Sequence, residues 1–387
     1  NLKIRGSWGL VGNDATNAGR FAYMEDLVLG GSDSYTTGIR QDTYYSGPSW
    51  NRYFNPDLTW EVGEKINLGL DLQLFNDFNL TFDIFREKRR DIFMTRENSI
   101  PEIVGTGETK ITSNNGEMEN KGLDLAIDYN KQITKDFFLS FKSTLTFARN
   151  KVLKMDEPPY FEYPGLSDVG HPLGTYWGYV ADGLFPDQET IDNSPRQDLG
   201  YTPQPGDIKY VNQPNAKGEY DNVINSNDRV AIGHPYDPEL VYGFGPSMKW
   251  KNWDFSFFFQ GVARTSFMMY GMHPFGTTSI KNMLQFVADD HWSVDNPNPN
   301  AAYPRLTKDS NGNNDQYSTY WLRNAAFLKL KNAEIGYTYK GMRFYLSGVN
   351  LLTFSPFKHW DPEMGGGNGL YYPTQRVFNI GFQMTIQ

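Results

Sequence analysis

The strongest constraint on this chain is a period-two alternation of apolar and polar residues that recurs in long segments. Over 66–75, Leu68, Leu70, Leu72 and Leu74 share one parity, and Asn67, Gly69, Asp71 and Gln73 share the other. Leu80, Phe82 and Ile84 alternate with Asn79, Thr81 and Asp83. Leu123, Leu125, Ile127 and Tyr129 alternate with Gly122, Asp124, Ala126 and Asp128. At the end of the chain, Phe378, Ile380, Phe382, Met384 and Ile386 alternate with Asn379, Gly381, Gln383 and Thr385. Successive strand side chains point to opposite faces, so each segment has one apolar wall and one polar wall.

Two architectures fit such walls. A β-sandwich turns one face to its core and one to water. A membrane barrel turns the apolar face to lipid and the polar face to a wet lumen. Length separates them. The predicted strands are 1–11, 62–75, 78–93, 117–133, 136–149, 241–251, 253–263, 326–339, 341–353 and 375–387. Strands in globular proteins run to about 5–6 residues, whereas a tilted membrane crossing takes about 9–11. The connections alternate too. Asn76-Asp77, Thr134-Lys135, Asn252 and Lys340-Gly341 read as tight turns, while 12–61, 94–116, 150–240, 264–325 and 354–374 are long, polar and rich in Gly, Pro and Asn. Short turns at one end and long loops at the other are the barrel pattern, turns periplasmic and loops extracellular. Parity slips within 326–339, between Leu328 and Leu330 and the later Ile335, Tyr337 and Tyr339, and a β-bulge near Asn332 restores it.

The bulk composition agrees. Mean hydropathy is polar at -0.58, yet 16% of residues are aromatic, with 24 Tyr and 27 Phe. Aromatic girdles on strands that are apolar on one side produce that mixture. No run reaches the roughly eighteen apolar residues of a transmembrane helix. A net charge of -9, from 36 basic and 45 acidic residues, argues against nucleic acid as a partner. With no cysteine, disulfides and thiolate metal sites are excluded. The chain starts within a strand at Asn1, without a signal peptide, which is the expectation for a fragment of a larger barrel. Ten strands either close on themselves or pair with others outside this sequence, because an open sheet edge is not viable in lipid.

Signals for catalysis are poor. Five His, at 171, 234, 273, 291 and 359, stand outside any HExxH context, and no GxSxG, P-loop or supported GxGxxG occurs. Acid pairs such as Asp289-Asp290 or Glu117 with Glu119 read as solvated surface in a chain with 45 carboxylates. No catalytic or metal-ligating residue is therefore assigned. The acidic loop 207–228 has oxygen ligands at close spacing, from Asp207 to Asp228, but lacks the EF-hand spacing, so a divalent cation there is set below a metal-free turn-rich loop. Loop aromatics are the candidate ligand contacts. Trp177, Tyr179, Trp292, Trp321, Trp360 and Tyr371 lie in predicted loops or at strand mouths, as do Tyr44, Tyr45, Trp50 and Tyr372. Their faces suit stacking on sugar rings or peptide side chains, and the competing role is packing or interface anchoring.

A set of short motifs, in order along the chain, resembles SusC/RagA-type TonB-dependent transporters of Bacteroidetes. They are Leu2-Lys3-Ile4-Arg5-Gly6-Ser7-Trp8-Gly9 with Gly12-Asn13, Asn55-Pro56-Asp57-Leu58-Thr59-Trp60-Glu61, Asn120-Lys121-Gly122-Leu123-Asp124, Pro205-Gly206-Asp207, Asn227-Asp228-Arg229, Pro304-Arg305-Leu306, Phe327-Leu328-Lys329-Leu330-Lys331-Asn332, and Asn350-Leu351-Leu352 followed by Asp361-Pro362-Glu363. The last strand also resembles a barrel-assembly signal, with Ile386-Gln387 where a terminal aromatic is usual. Many members carry an acidic loop between the PGD and DR motifs. Here Asn212-Gln213-Pro214-Asn215-Ala216-Lys217-Gly218-Glu219 replaces it, which puts a bound ion there in doubt.

The resemblance implies that residues 1–387 are the C-terminal part of a 22-stranded barrel, with the plug domain and N-terminal strands outside this sequence. It implies an outer-membrane location, a SusD-like surface lipoprotein as lid, energy from the TonB–ExbB–ExbD system, and import of oligosaccharides or peptides without covalent chemistry. Loops 150–240 and 264–325 are the expected ligand and lid contacts. Two other readings stay open at this point. A glycan-binding β-sandwich, soluble or surface-attached, predicts stability without detergent. A β-rich glycosidase predicts turnover that depends on one carboxylate.

Overall fold

In a computed structural model, residues 1–15, 20–30, 34–96, 98, 100, 103, 111–270, 275–276, 279–280, 284–307 and 311–384 are described. Ten long strands make one sheet: β1 (Leu2–Asn13), β2 (Glu61–Leu74), β3 (Phe78–Thr95), β4 (Thr112–Thr134), β5 (Phe137–Lys154), β6 (Leu240–Trp250), β7 (Trp253–Ala263), β8 (Phe327–Tyr339), β9 (Met342–Phe354) and β10 (Val377–Met384). Each pairs antiparallel with its neighbour in sequence, so the sheet is an up-and-down meander. β1 and β10 are its edges among the described residues, so the ten strands do not close on one another there. Thr385, Ile386 and Gln387, the tail of the last predicted strand, lie outside the described residues.

Register aligns the apolar parities of all ten strands on one face. Across β2 to β5, Leu68 pairs with Ile84, Ile84 with Leu123, and Leu123 with Phe147. On β9 and β10, Leu346 pairs with Ile380 and Phe344 with Phe382. Many of these side chains are exposed, most of all at the β10 edge, where Phe378 is 74% and Ile380 87% exposed. An apolar face this wide, uncovered within the chain, calls for an apolar solvent or a partner. On β2 the band runs from Ile66 to Leu74. That matches the length of a tilted crossing, about 9–11 residues. Toward the loops the same face becomes charged, with Arg86 paired to Glu119 at 2.6 Å and Lys88 to Glu117 at 2.9 Å. Toward the turns, Phe137, Trp250, Trp253, Tyr337, Phe344 and Phe382 are successive register partners and form one row across six strands. Aromatic rows of this kind sit where hydrocarbon meets headgroups.

The opposite face is polar. Arg5 bridges Asp71 and Asp83, each at 2.9 Å, and Arg343 bridges Asp254 and Glu334. The tight turns hold in place, with one shifted and two a residue longer: Thr134 pairs with Phe137, so that turn is Lys135-Asp136, while Phe75 joins Asn76-Asp77 and Lys251 joins Asn252. Lys340 and Gly341 both have positive φ, 46° and 80°, the geometry of a two-residue hairpin turn. The bulge in β8 falls on Lys331, one residue before the expected site, because Phe258 pairs with Asn332 and Phe259 with Leu330.

The main apolar core lies in the loops, outside the sheet. Connections 155–239, 264–326 and 355–376 are joined by the bridges Tyr179–Ser318 and Met269–Gly367, and the first two also fold on short pairings of their own. Tyr176–Gly178 pairs with Val230–Ile232, Ala181–Leu184 with Ile208–Tyr210, and Ser266–Met268 with Leu322–Asn324. Their buried side chains, including Ile208, Tyr210, Ile224, Phe267 and Val287, make a common core. This is a cap at the loop end of the sheet.

Candidate functional site

Five of the family-like motifs make three staples of the cap. Gly206 has φ +88°, and the Trp292 ring lies where its side chain would stand, so glycine is required. Next to it, the Asp207 carboxylate is fully buried and accepts from Arg305 Nε (2.7 Å), Asn311 Nδ2 (2.9 Å), Asn314 Nδ2 (2.9 Å) and the Gln204 amide (2.8 Å). The PGD motif is thus tied to the Pro304-Arg305-Leu306 motif a hundred residues on. Asp228 caps a short 3-10 turn at Asn225 and also accepts from the Gln213 amide at 2.7 Å. Burial pushes its carboxyl above the ordinary range. The best-placed oxygens of loop 207–228 are therefore already engaged by N–H donors. Among the described residues, no group of three or more His, Cys, Asp or Glu side chains is gathered as for a metal.

The third staple holds the last loop. Lys329 on β8 is fully buried, and its Nζ lies 2.6 Å from Asp361 and 2.5 Å from Glu363. Lys331, bulged out beside it, lies 2.6 Å from Glu363. Burial, the largest influence, pushes both carboxyls up, but Lys329 together with the Thr374 hydroxyl and the Glu363 amide at Asp361, and together with Lys331 at Glu363, holds them below the ordinary range.

The predicted aromatics divide by burial. Tyr179, Trp292 and Trp321 are buried in the cap core. Tyr179 packs on Tyr210 with centroids 5.1 Å apart, and Trp321 donates from Nε1 to the Asn314 carbonyl at 2.7 Å. Trp177 is half-buried and donates from Nε1 to Asp168 at 2.6 Å. Trp360 is half-buried beneath a glycine loop, donating from Nε1 to the Gly365 carbonyl at 2.9 Å. Tyr371 is exposed. Of the other loop aromatics, Tyr44 and Tyr45 lie in a hairpin where Tyr45 stacks on Tyr35.

Tyr371 belongs to a cleft of about 330 Å³ where the three interlocked loops meet. Tyr176 and Tyr236 come from the first loop, Tyr270 and Tyr317 from the second, with Met268 and Met364 between them. Its floor is backbone. Gly367 N–H donates to the Met268 carbonyl at 2.8 Å, and Tyr270 N–H to the Gly367 carbonyl at 3.1 Å. A side chain at Gly366 would strike the Met268 carbonyl, so the loop can close here only with glycine. Burial pushes the Tyr176 phenol up to about 12, so it stays a neutral donor. Tyr176, Tyr236, Tyr270 and Tyr317 were not singled out from the sequence. The available signal was tyrosine beside Gly or Pro in polar loops, as in Tyr270-Gly271 and Pro235-Tyr236. A second cleft, about 370 Å³, lies on the polar wall and is charged, with Glu87, Arg89, Asp237 and Glu239 in its lining.

A meander of long strands, apolar outside and ionic inside, with a folded cap on its long loops, is the wall of a membrane β-barrel. The chain belongs to the family described as TonB dependent receptor-like, beta-barrel, whose profile matches residues 13–351. It is 28% identical over 411 residues to TonB-dependent receptor SusC of Bacteroides thetaiotaomicron, covering 99% of this chain and 37% of that protein. It is likewise 28% identical over 420 residues to TonB-dependent receptor P26 of Formosa agariphila, covering 99% and 40%. Among solved structures, the RagAB peptide importer in its open-open state superposes with a TM-score of 0.73 at 21% identity, over 100% of this chain and 40% of that one. The chain thus spans about 40% of the length of the relatives it matches.

Proposed function

We propose that this chain is the C-terminal wall and extracellular cap of a SusC-like outer-membrane importer. The observation that carries the reading is the pairing of two surfaces in one chain. Ten strands turn an uncovered apolar band outward, and their long loops fold around a core of their own. The band suits lipid, and the cap suits capture of a solute at the outer surface. The rest of a 22-stranded barrel would pair with the edges of β1 and β10, since unpaired backbone is not tolerated in lipid. Cargo is an oligosaccharide or a peptide. A SusD-like lipoprotein closes over the cap, and TonB–ExbB–ExbD, acting through a plug, supplies the energy.

The test is to purify the full-length protein from outer membranes in mild detergent and weigh the native complex. A barrel that carries a lipoprotein and a ladder of sugar or peptide masses is the expected result. A protein that remains monodisperse in water without detergent would overturn the membrane reading.

A further inference from the structure

Four of the five tyrosines of the 330 Å³ cleft keep about half of their surface in solvent: Tyr236 56%, Tyr270 53%, Tyr317 48% and Tyr371 56%. They come from three separate loops, so no single local turn explains their meeting. A cap that only needed packing would bury such rings, as it buries Tyr179, Tyr210 and Tyr303. Here the rings stand open around a rigid glycine floor, with Trp360 wedged beneath Gly365 and Gly369. Among the described residues the remaining lining is Met268, Met364 and glycine, with no ionic side chain.

We infer that this tyrosine cleft is a binding subsite for an uncharged sugar ring. The inference rests on the importer reading above. The chemistry follows from the lining. Aromatic faces take the C–H face of a pyranose, and phenol hydroxyls donate to and accept from its hydroxyl groups. A charged group would lose its hydration without gaining a counter-ion, which disfavours acidic sugars and peptide termini. The volume is at the small end of ligand sites, room for about two sugar rings of a longer chain. The loop pairings fix the rings before ligand arrives, which lowers the entropy cost of binding.

The experiment uses the full-length complex in detergent. Binding is measured for neutral glucan hexasaccharides of α-1,4, β-1,3 and β-1,4 linkage and for a pool of peptides with charged termini. Wild type is compared with Tyr270→Ala/Tyr371→Ala and with Tyr270→Phe/Tyr371→Phe. The expected result is binding of at least one neutral glycan, weakened about tenfold or more by the alanine pair and less by the phenylalanine pair, which keeps the rings. Glycan binding that the alanine pair leaves unchanged overturns the site. Binding of peptides alone, or of neither, overturns the sugar assignment. The importer reading is scored separately, by insertion of the same preparation into lipid vesicles.

Discussion

Replacing Asp207 with Asn tests whether the cap is held by the staple described above. The change keeps the shape and removes the charge. The carboxylate has two oxygens that serve four donors, from Arg305, Asn311, Asn314 and Gln204. An amide keeps one acceptor and turns an N–H group toward these same donors. Arg305, whose side chain is only 17% exposed, loses its counter-ion. Breaking a buried pair on one side costs about 3–5 kcal/mol. Arg305 retains the Tyr201 hydroxyl at 2.7 Å, which places the cost near the lower end. About 3 kcal/mol corresponds to a roughly hundredfold rise in the opening equilibrium. Hydrogen exchange with mass readout, on the full-length protein in detergent, resolves this locally. Peptides covering 204–210 and 311–315 are expected to exchange about a hundredfold faster, while those from β8 and β9 keep their protection. Exchange within about threefold of wild type in the 204–210 peptides would refute the staple, since the buried charge would then carry no measurable share of cap stability.

Three further outcomes are expected. Lys329→Met removes the ammonium between Asp361 and Glu363 and should free loop 355–376 by about 3 kcal/mol, read as faster proteinase K cleavage between Gly365 and Tyr372 with β8 and β9 intact. In wild type that loop should resist cleavage evenly from neutral pH down to the ordinary carboxylate range, about 4, and lose resistance as pH falls further. Both carboxyls sit below their ordinary values when folded, so their stabilisation is full above that range and disappears as they protonate. The Lys329→Met protein should lack the step. Ile380→Arg on the apolar band should lower barrel stability in lipid vesicles by about 2–4 kcal/mol in denaturant titration, whereas Asn379→Arg on the opposite face should be nearly neutral.

The wall was legible in the sequence because lipid and lumen impose opposite demands on alternate residues. All ten strands and most turn positions follow from parity alone. The ends of β3, β4 and β5 were not legible. Past the band both parities become polar, as in Glu87-Lys88-Arg89-Arg90, and pairing continues to Thr95, Thr112 and Lys154 where the alternation has stopped. The cap was least legible. Its core takes Tyr179, Ile208, Trp292, Trp321 and Phe357 from three loops with no shared period, so buried anchors such as Trp292 and Trp321 look the same in sequence as exposed rings such as Tyr371. The motifs were visible, but their partners were not: nothing local to Asp207 points to Arg305.

The row of six aromatics from Phe137 to Phe382 has a consequence beyond stability. A wall pinned at one depth cannot bob in its bilayer, so it acts as a fixed vertical datum. Every loop then emerges at a set height, and the long, charged upper halves of β3 and β4 stand clear of the crowded headgroup layer. In the importer proposed above, that would put the mouth proud of the lipid, like the rim of a well raised above the ground.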